Sequence, residues 1–392
     1  MFGMGKSKGL IGLDIGSSAV KAVELKKHGD SYELVNFGLE LLGQDTVVDG
    51  AIMDALTVSA AIERIFEGNK IKTRNVATSV SGHAVIVKRI TVNAASDEDL
   101  GEVMPYEAQQ HIPFDISDVN LSYQPLGDSS SGEGTDVMLV AAKREKILNH
   151  TNVLNQANKT PYVVDYDGFA VFNAFGANYE VPPDMIVALL NIGASITNIV
   201  VGRGESPLFA RDVSVGGNQY TDILQKELDL NYEDAEKLKQ GQQVGGITPQ
   251  QKIPHLRSVT EILMLEVQKT FDYFRQASSA DNTQAIYLAG GTAMIDGLVE
   301  QLKEEFRVPV EIIDPFRRVK VDARKFDEAL LQDIAPSLCV ATGLALRSFD
   351  QPCHSLRSTC WGWRRRSRRL SLLRRLHRSR CCRCGFSSVL WW

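Results

Sequence analysis

Residues 10–25 read LIGLDIGSSAVKAVEL, two apolar runs around a short polar turn, which is the pattern of a β-hairpin. Gly16 admits backbone angles closed to other residues, and Gly16, Ser17 and Ser18 offer consecutive N–H donors and two hydroxyls to an anion. Such a loop suits phosphate. Asp14, at the end of the first strand, stands where a carboxylate holds a hydrated divalent cation against that phosphate, and Lys21 is placed to reach back over it. The pattern returns over residues 187–201, VALLNIGASITNIVV, with Asn191 as the polar residue and Gly193, Ala194 and Ser195 in the turn. Two phosphate hairpins in one chain predict two similar lobes closing on one nucleotide. A third stretch, AIYLAGGTAMIDGLVEQL (residues 285–302), reads as strand, Gly-Gly turn and helix. There Gly290 and Gly291 let backbone approach a flat ligand such as an adenosine, with Thr292 and Met294 next along the turn.

The net charge of −5 over 392 residues averages two unlike segments. Residues 1–350 carry 32 basic and 48 acidic groups, a formal −16, whereas residues 351–392 hold eleven Arg, all four Trp, five of the six Cys and no Asp, Glu or Lys. An acidic body argues against nucleic-acid binding, and its length suits about two domains. The last 42 residues have no steady helical or strand period and no acidic partners, so they read as an altered reading frame or an appended segment outside the folded body. A basic membrane-surface tail is the functional alternative. Zinc at His377, Cys381, Cys382 and Cys384 is disfavoured, because adjacent cysteines do not make paired C-x2-C knuckles. Cys339 is the one body cysteine, which predicts no disulfide framework and fits a reducing cytoplasm. Lys6 and Lys8 precede an apolar run broken by Asp14, unlike a signal peptide. The uncharged run 185–202 has transmembrane length, but its Asn191, Gly193, Ser195, Thr197 and Asn198 fit the second hairpin better. GKS at 5–7 mimics the end of a P-loop and lacks the upstream glycine.

In chain order, residues 31–41 predict a third strand, residues 52–66 a helix with Met53, Leu56, Ala60 and Ile65 on one face, and residues 76–81 a strand. Residues 89–161 change character: a short strand, a helix starting at Ser96 and ended by Pro113, a linker over 128–136, then strand and helix. In the second half, Gly216 and Gly217 precede a helix whose first amides are placed to face the nucleotide, and Glu236 and Lys239 share a face of the next helix. Val259, Leu263, Val267, Phe271 and Phe274 form a core stripe, and residues 331–346 predict a closing helix.

The two phosphate hairpins and the adenosine turn, in this order, resemble the actin-like ATPase superfamily over residues 9–349. The segments EAQQHIPFDISDVNLSY (107–123) and YVVDYDGFAVFNAF (162–175) resemble the PilM family, cytoplasmic actin-like components of type IV pilus machines related to FtsA. The resemblance implies an α/β, two-lobed fold with an FtsA-type subdomain inserted in the first lobe. Its expected parts are a first lobe at 1–88 and 162–183, the insert at 89–161, a second lobe at 184–334, a closing helix at 335–350 and the tail at 351–392. It also implies ATP and Mg²⁺ in the cleft, Glu236 and Lys239 at the ribose and adenine, and Asp167 where relatives place a water-positioning residue. Asn191 stands where actin-like ATPases usually have Asp, so hydrolysis is expected to be slow. In the PilM family a groove beside the insert receives the N-terminal cytoplasmic segment of the membrane protein PilN, which recruits the protein to the inner membrane. Ile112, Pro113 and Phe114 are the apolar candidates for that groove here. An FtsA-like membrane-tethered polymer and a small-molecule kinase are the alternatives.

Overall fold

The computed structural model describes residues 9–93, 97–129, 134–278 and 282–349. The helix start at Ser96, residues 130–133 of the 128–136 linker, the GKS triplet and the whole Arg-, Cys- and Trp-rich tail lie outside the described residues.

The first lobe opens with β1 (Ile11–Ile15), β2 (Ala19–His28) and β3 (Ser31–Leu41), a small hairpin of β4 (Val47–Val48) and β5 (Ala51–Ile52), helix α1 (Ala55–Gly68) and β6 (Asn75–Val80). There follow β7 (Val85–Val92), α2 (Asp97–His111), β8 (Val119–Asp128), β9 (Thr135–Lys143), α3 (Arg144–Gln156), β10 (Thr160–Tyr166) and α4 (Asp167–Asn178). The second lobe comprises β11 (Ile186–Ile192), β12 (Thr197–Arg203), β13 (Ser206–Val213), α5 (Gly217–Leu228), α6 (Tyr232–Lys239), α7 (Pro249–Ser278), β14 (Ala285–Ala289), α8 (Leu298–Phe306) and β15 (Val310–Ile312). The chain then returns to the first lobe through β16 (Val319–Lys320), α9 (Glu328–Ile334) and α10 (Cys339–Leu346).

The lobes repeat one plan. The first-lobe sheet runs β10-β6-β1-β2-β3-β16 and the second β13-β12-β11-β14-β15. In each, an antiparallel hairpin (β1–β2, β11–β12) is extended by a third antiparallel strand on one side and a parallel strand on the other. The run 185–202 is therefore the β11–β12 hairpin, its backbone paired strand to strand. Helices α4 and α10 tie the lobes at their base, and backbone meets backbone there. A Cβ added at Gly12 would lie 1.9 Å from Ala341 O in α10, and one at Gly343 would lie 1.7 Å from Ala170 O in α4.

Three local expectations are corrected. Helix α1 starts after an Asp54 cap and buries Val58, Ala61, Ile62, Ile65 and Phe66, while Met53 and Leu56 are exposed. The core-facing stripe is thus one helical position round from the expected one, because the sheet packs on the Ala61–Ile65 face. The closing helix over 331–346 is two helices, α9 and α10, separated by a 3-10 turn at Ala335–Leu338, since Pro336 has no N–H to continue an α-helix. The stretch Glu328–Phe349 is apolar and long enough to cross a membrane, yet 67% of its most apolar 18 residues is buried within the fold. Finally, the insert is narrower than 89–161. Its sheet, β7-β9-β8, starts at Val85 and ends at Lys143, and packs on α2 through Ile90, Leu100, Met104, Ala108, Val137 and Leu139. Helix α3 instead sends Val153 and Leu154 into the first-lobe core beside Ile62 and Ile65.

Candidate functional site

The two hairpins place matching residues at matching register. Asp14 lies opposite Lys21 across β1–β2, and Asn191 lies opposite Asn198 across β11–β12. Each turn is closed by the same bond: Gly16 N–H donates to Ala19 O at 3.0 Å, and Gly193 N–H to Ile196 O at 2.9 Å. The chemistry at the paired positions differs. In the first lobe Lys21 Nζ donates to Asp14 Oδ2 at 2.9 Å, with both side chains nearly buried. In the second, Asn191 Nδ2 donates to Asn198 Oδ1 at 2.8 Å, so no carboxylate faces the cleft from that hairpin. Ser17 is partly exposed and Ser18 exposed, and among the described residues neither hydroxyl bonds to protein, which leaves both for a ligand.

Asp167, the first residue of α4, lies within the field of the Asp14 carboxylate. Burial, first, and the Asp14 carboxylate, second, raise its pKa to about 6, with the nearby Ser79 and Ser81 hydroxyls limiting the rise. Lys146 was not singled out by the sequence. From α3 it donates to Gly50 O at the tip of the β4–β5 hairpin, and burial lowers its pKa while Asp167, Asp212 and Asp49 oppose the fall. A lysine in the first turn of a polar helix carries no sequence signal for this role.

In the second lobe the adenosine turn joins the hairpin. Thr292 Oγ1 donates to Gly193 O at 2.8 Å. Gly290 has φ +88°, and a Cβ there would lie 2.2 Å from Ile192 O. Its glycine is thus required by packing on β11 rather than by a ligand, while a Cβ at Gly291 would make only an ordinary contact with Ser337 Cβ at 3.9 Å and Met294 is half exposed. The expectation that α5 presents its first amides to the nucleotide is corrected for two of them. Gly217 N–H donates to Gly193 O at 2.9 Å and Asn218 N–H to Ala194 O at 2.7 Å, because Gly216 seats directly on Ala194. Asn218 Nδ2 also donates to Ser195 Oγ at 3.2 Å. Glu236 and Lys239 form an ion pair that is not a solvated surface pair. Thr221 donates to Glu236, and Lys239 Nζ donates to Thr221 Oγ1 at 2.8 Å and to Gly217 O at 3.3 Å, clamping α6 onto the start of α5.

The chemistry of this cleft suits a polyphosphate with a magnesium ion. No group of three or more metal-ligating side chains occurs among the described residues. Mg²⁺ needs none, since it keeps most of its waters and binds through one or two carboxylates plus phosphate oxygens. Asp14, with Ser17 and Ser18 beside it, is a donor set of that kind.

A family model described as type IV pilus assembly protein PilM matches residues 12–349. The chain belongs to this PilM family. The fold is actin-like, and a solved structure titled PilM-PilN type IV pilus biogenesis complex resembles the chain with TM-score 0.79 and 29% identity, over 88% of this chain and 99% of that one. The ethanolamine utilization protein EutJ from Carboxydothermus hydrogenoformans shares the fold at TM-score 0.52 and 16% identity, over 86% of this chain and 89% of that one.

In this PilM-family chain a small pocket lies between the insert and the first lobe. Val85, Asn120, Val140 and Ala142 line it from the insert, and Val80, Ile147, Val164, Asp165 and Tyr166 from the first lobe. The sequence candidates fall elsewhere. Ile112 is a core residue of the insert, Phe114 packs on the same core with Lys143 Nζ 4.6 Å from its ring centroid, and Pro113 is exposed. Ile112 ends the α2 stripe formed with Leu100, Met104 and Ala108, so the sheet covers it. The Asp165 carboxyl is buried, which raises its pKa, and Arg347 Nε at 3.5 Å opposes the rise.

Proposed function

We propose that the protein is a nucleotide-responsive docking component of a type IV pilus machine, placed at the cytoplasmic face of the inner membrane by its partner. In this reading ATP and Mg²⁺ lie between the β1–β2 and β11–β12 hairpins. Asp14, Gly16, Ser17, Ser18 and Lys21 serve the phosphates and metal from one side, and Gly193, Ala194 and Ser195 serve them from the other. Gly216, Gly217, Glu236, Lys239, Gly291, Thr292 and Met294 flank the nucleoside. Bound metal would neutralise phosphate charge beside Asp14, while the chain's own residues orient the phosphates and exclude water. Asp167, titrating near 6, is largely ionised at neutral pH, but Asn191 supplies no carboxylate from the second hairpin, an amide being neither a base nor a strong Mg²⁺ ligand, which favours slow turnover.

The partner in this reading is the N-terminal segment of PilN, seated between insert and first lobe. The observation that carries it is the likeness to the PilM-PilN complex across nearly the whole described chain. Calorimetry with a PilN N-terminal peptide tests it. The wild type should bind, and Asn120→Trp, which crowds the pocket, should weaken binding at least tenfold. A wild type that does not bind the peptide refutes the docking role.

A further inference from the structure

Tyr166 stands where three parts of the molecule meet. Its ring, 1% exposed, lines the pocket between insert and first lobe beside Asp165. Its hydroxyl crosses to the second lobe and donates to Asp212 Oδ1. The next residue is Asp167, the cleft carboxylate.

Asp212 lies on β13, outside both phosphate hairpins, and collects three donors. Tyr166 and Asn198 Nδ2, the latter at 2.8 Å, reach Oδ1, and Gly82 N–H reaches Oδ2 at 2.6 Å. Two of the three come from the first lobe. A carboxylate receiving O–H and N–H donors makes stronger bonds than a neutral acceptor, and in a partly buried setting each donor is needed to offset desolvation. A second cross-lobe bond lies one residue beyond Gly82 and two beyond Asp212, where His83 Nε2 and Ser214 Oγ are 2.8 Å apart. Ile196, in the second phosphate hairpin, closes the row against Gly82, where an added Cβ would come within 2.9 Å of its Cδ1. Asn198 also accepts from Asn191, so the carboxylate is joined to the second hairpin through a side-chain relay.

We propose that Tyr166 and Asp212 form a cross-lobe latch that couples the docking pocket to the nucleotide cleft. A peptide that fixes the Tyr166 ring fixes the separation of the two phosphate hairpins, and a nucleotide that draws the hairpins together shapes the pocket. The coupling is reciprocal, as linkage requires. Both residues act by positioning the hairpins, and the proposal rests on the nucleotide and peptide sites proposed above.

The test uses the full chain as wild type, Tyr166→Phe and Asp212→Asn, with release of a fluorescent mant-ATP followed by chase with and without the PilN peptide. In the wild type the peptide should slow release about fivefold or more. Both variants should release faster without peptide and lose the peptide's effect, while Tyr166→Phe, which keeps the ring, still captures peptide. The same slowing in all three proteins, or none in the wild type, overturns the coupling. A second readout needs no nucleotide: the interlobe distance from spin labels on non-natural residues replacing the exposed Lys72 and Lys226. The variants should lengthen and broaden that distribution, and an unchanged distribution overturns the latch. If even the wild type fails to bind mant-ATP, the nucleotide site is wrong, and the distance measurement still decides whether the latch exists.

Discussion

Replacing Asp167 with Asn should stabilise the protein, by an amount that grows from nothing near pH 4 to its full size above about pH 6. The carboxyl titrates near 3.8 when solvated and near 6 in the fold, because burial and the Asp14 charge disfavour its ionised form. At about 1.4 kcal/mol per unit, ionised Asp167 costs the folded state about 3 kcal/mol. The sign follows from proton counting. Below about pH 4 the group is neutral in both states and costs nothing. Between about pH 4 and pH 6 the unfolded chain ionises first, and the cost grows until it is fully present above the folded value. Asn keeps the shape and removes the charge. The melting temperature of Asp167→Asn should therefore exceed that of the wild type by roughly 5 °C near pH 8, with the gap closing near pH 4. A gain of equal size at both pH values would mean that packing, not charge, is responsible. No gain near pH 8 would mean that Asp167 is not held in a desolvated, like-charged site, and the assignment of the cleft floor would fall with it.

Asp14→Ala removes the partner of Lys21 and the metal-facing carboxylate, so ATP affinity by calorimetry should fall on the order of ten- to a hundredfold, and an unchanged affinity would contradict the site. Gly343→Ala drives a Cβ into Ala170 O at 1.7 Å, where backbone on both sides cannot yield, and should cost at least about 1–3 kcal/mol, read as a lowered melting temperature. Steady-state ATP turnover should stay below about 1 per second, and a faster rate would contradict the role given to Asn191. A chain ending at Asp350 should melt and bind nucleotide like the full chain, and loss of folding would show that the Arg-rich tail contributes to the body.

The features legible in the amino-acid order are the local ones. Alternating apolar residues around Gly-Ser-Ser and Gly-Ala-Ser turns specify hairpins, and a period of two fixes which residues share a face, so Asp14 and Lys21 are legible as neighbours of the first turn, while their direct pairing comes from the register. The α7 core stripe is legible for the same reason, since one helical period decides it. What only the tertiary structure decides depends on surfaces meeting across long separations. Asp212 meets Gly82 across 130 residues and Tyr166 across 46, and nothing near Asp212 in the chain marks it as a cross-lobe acceptor. Ile112 resembles a docking residue until α2 lies on its sheet, and α3 belongs to the first lobe because α1 and its neighbours offer its apolar side a core. The first amides of α5 look free for phosphate until the β11–β12 turn supplies carbonyls to take them. Periodicity reports which side of an element is apolar, whereas the partner that covers that side, and the donors left over for a ligand, are settled only when the two lobes close on each other.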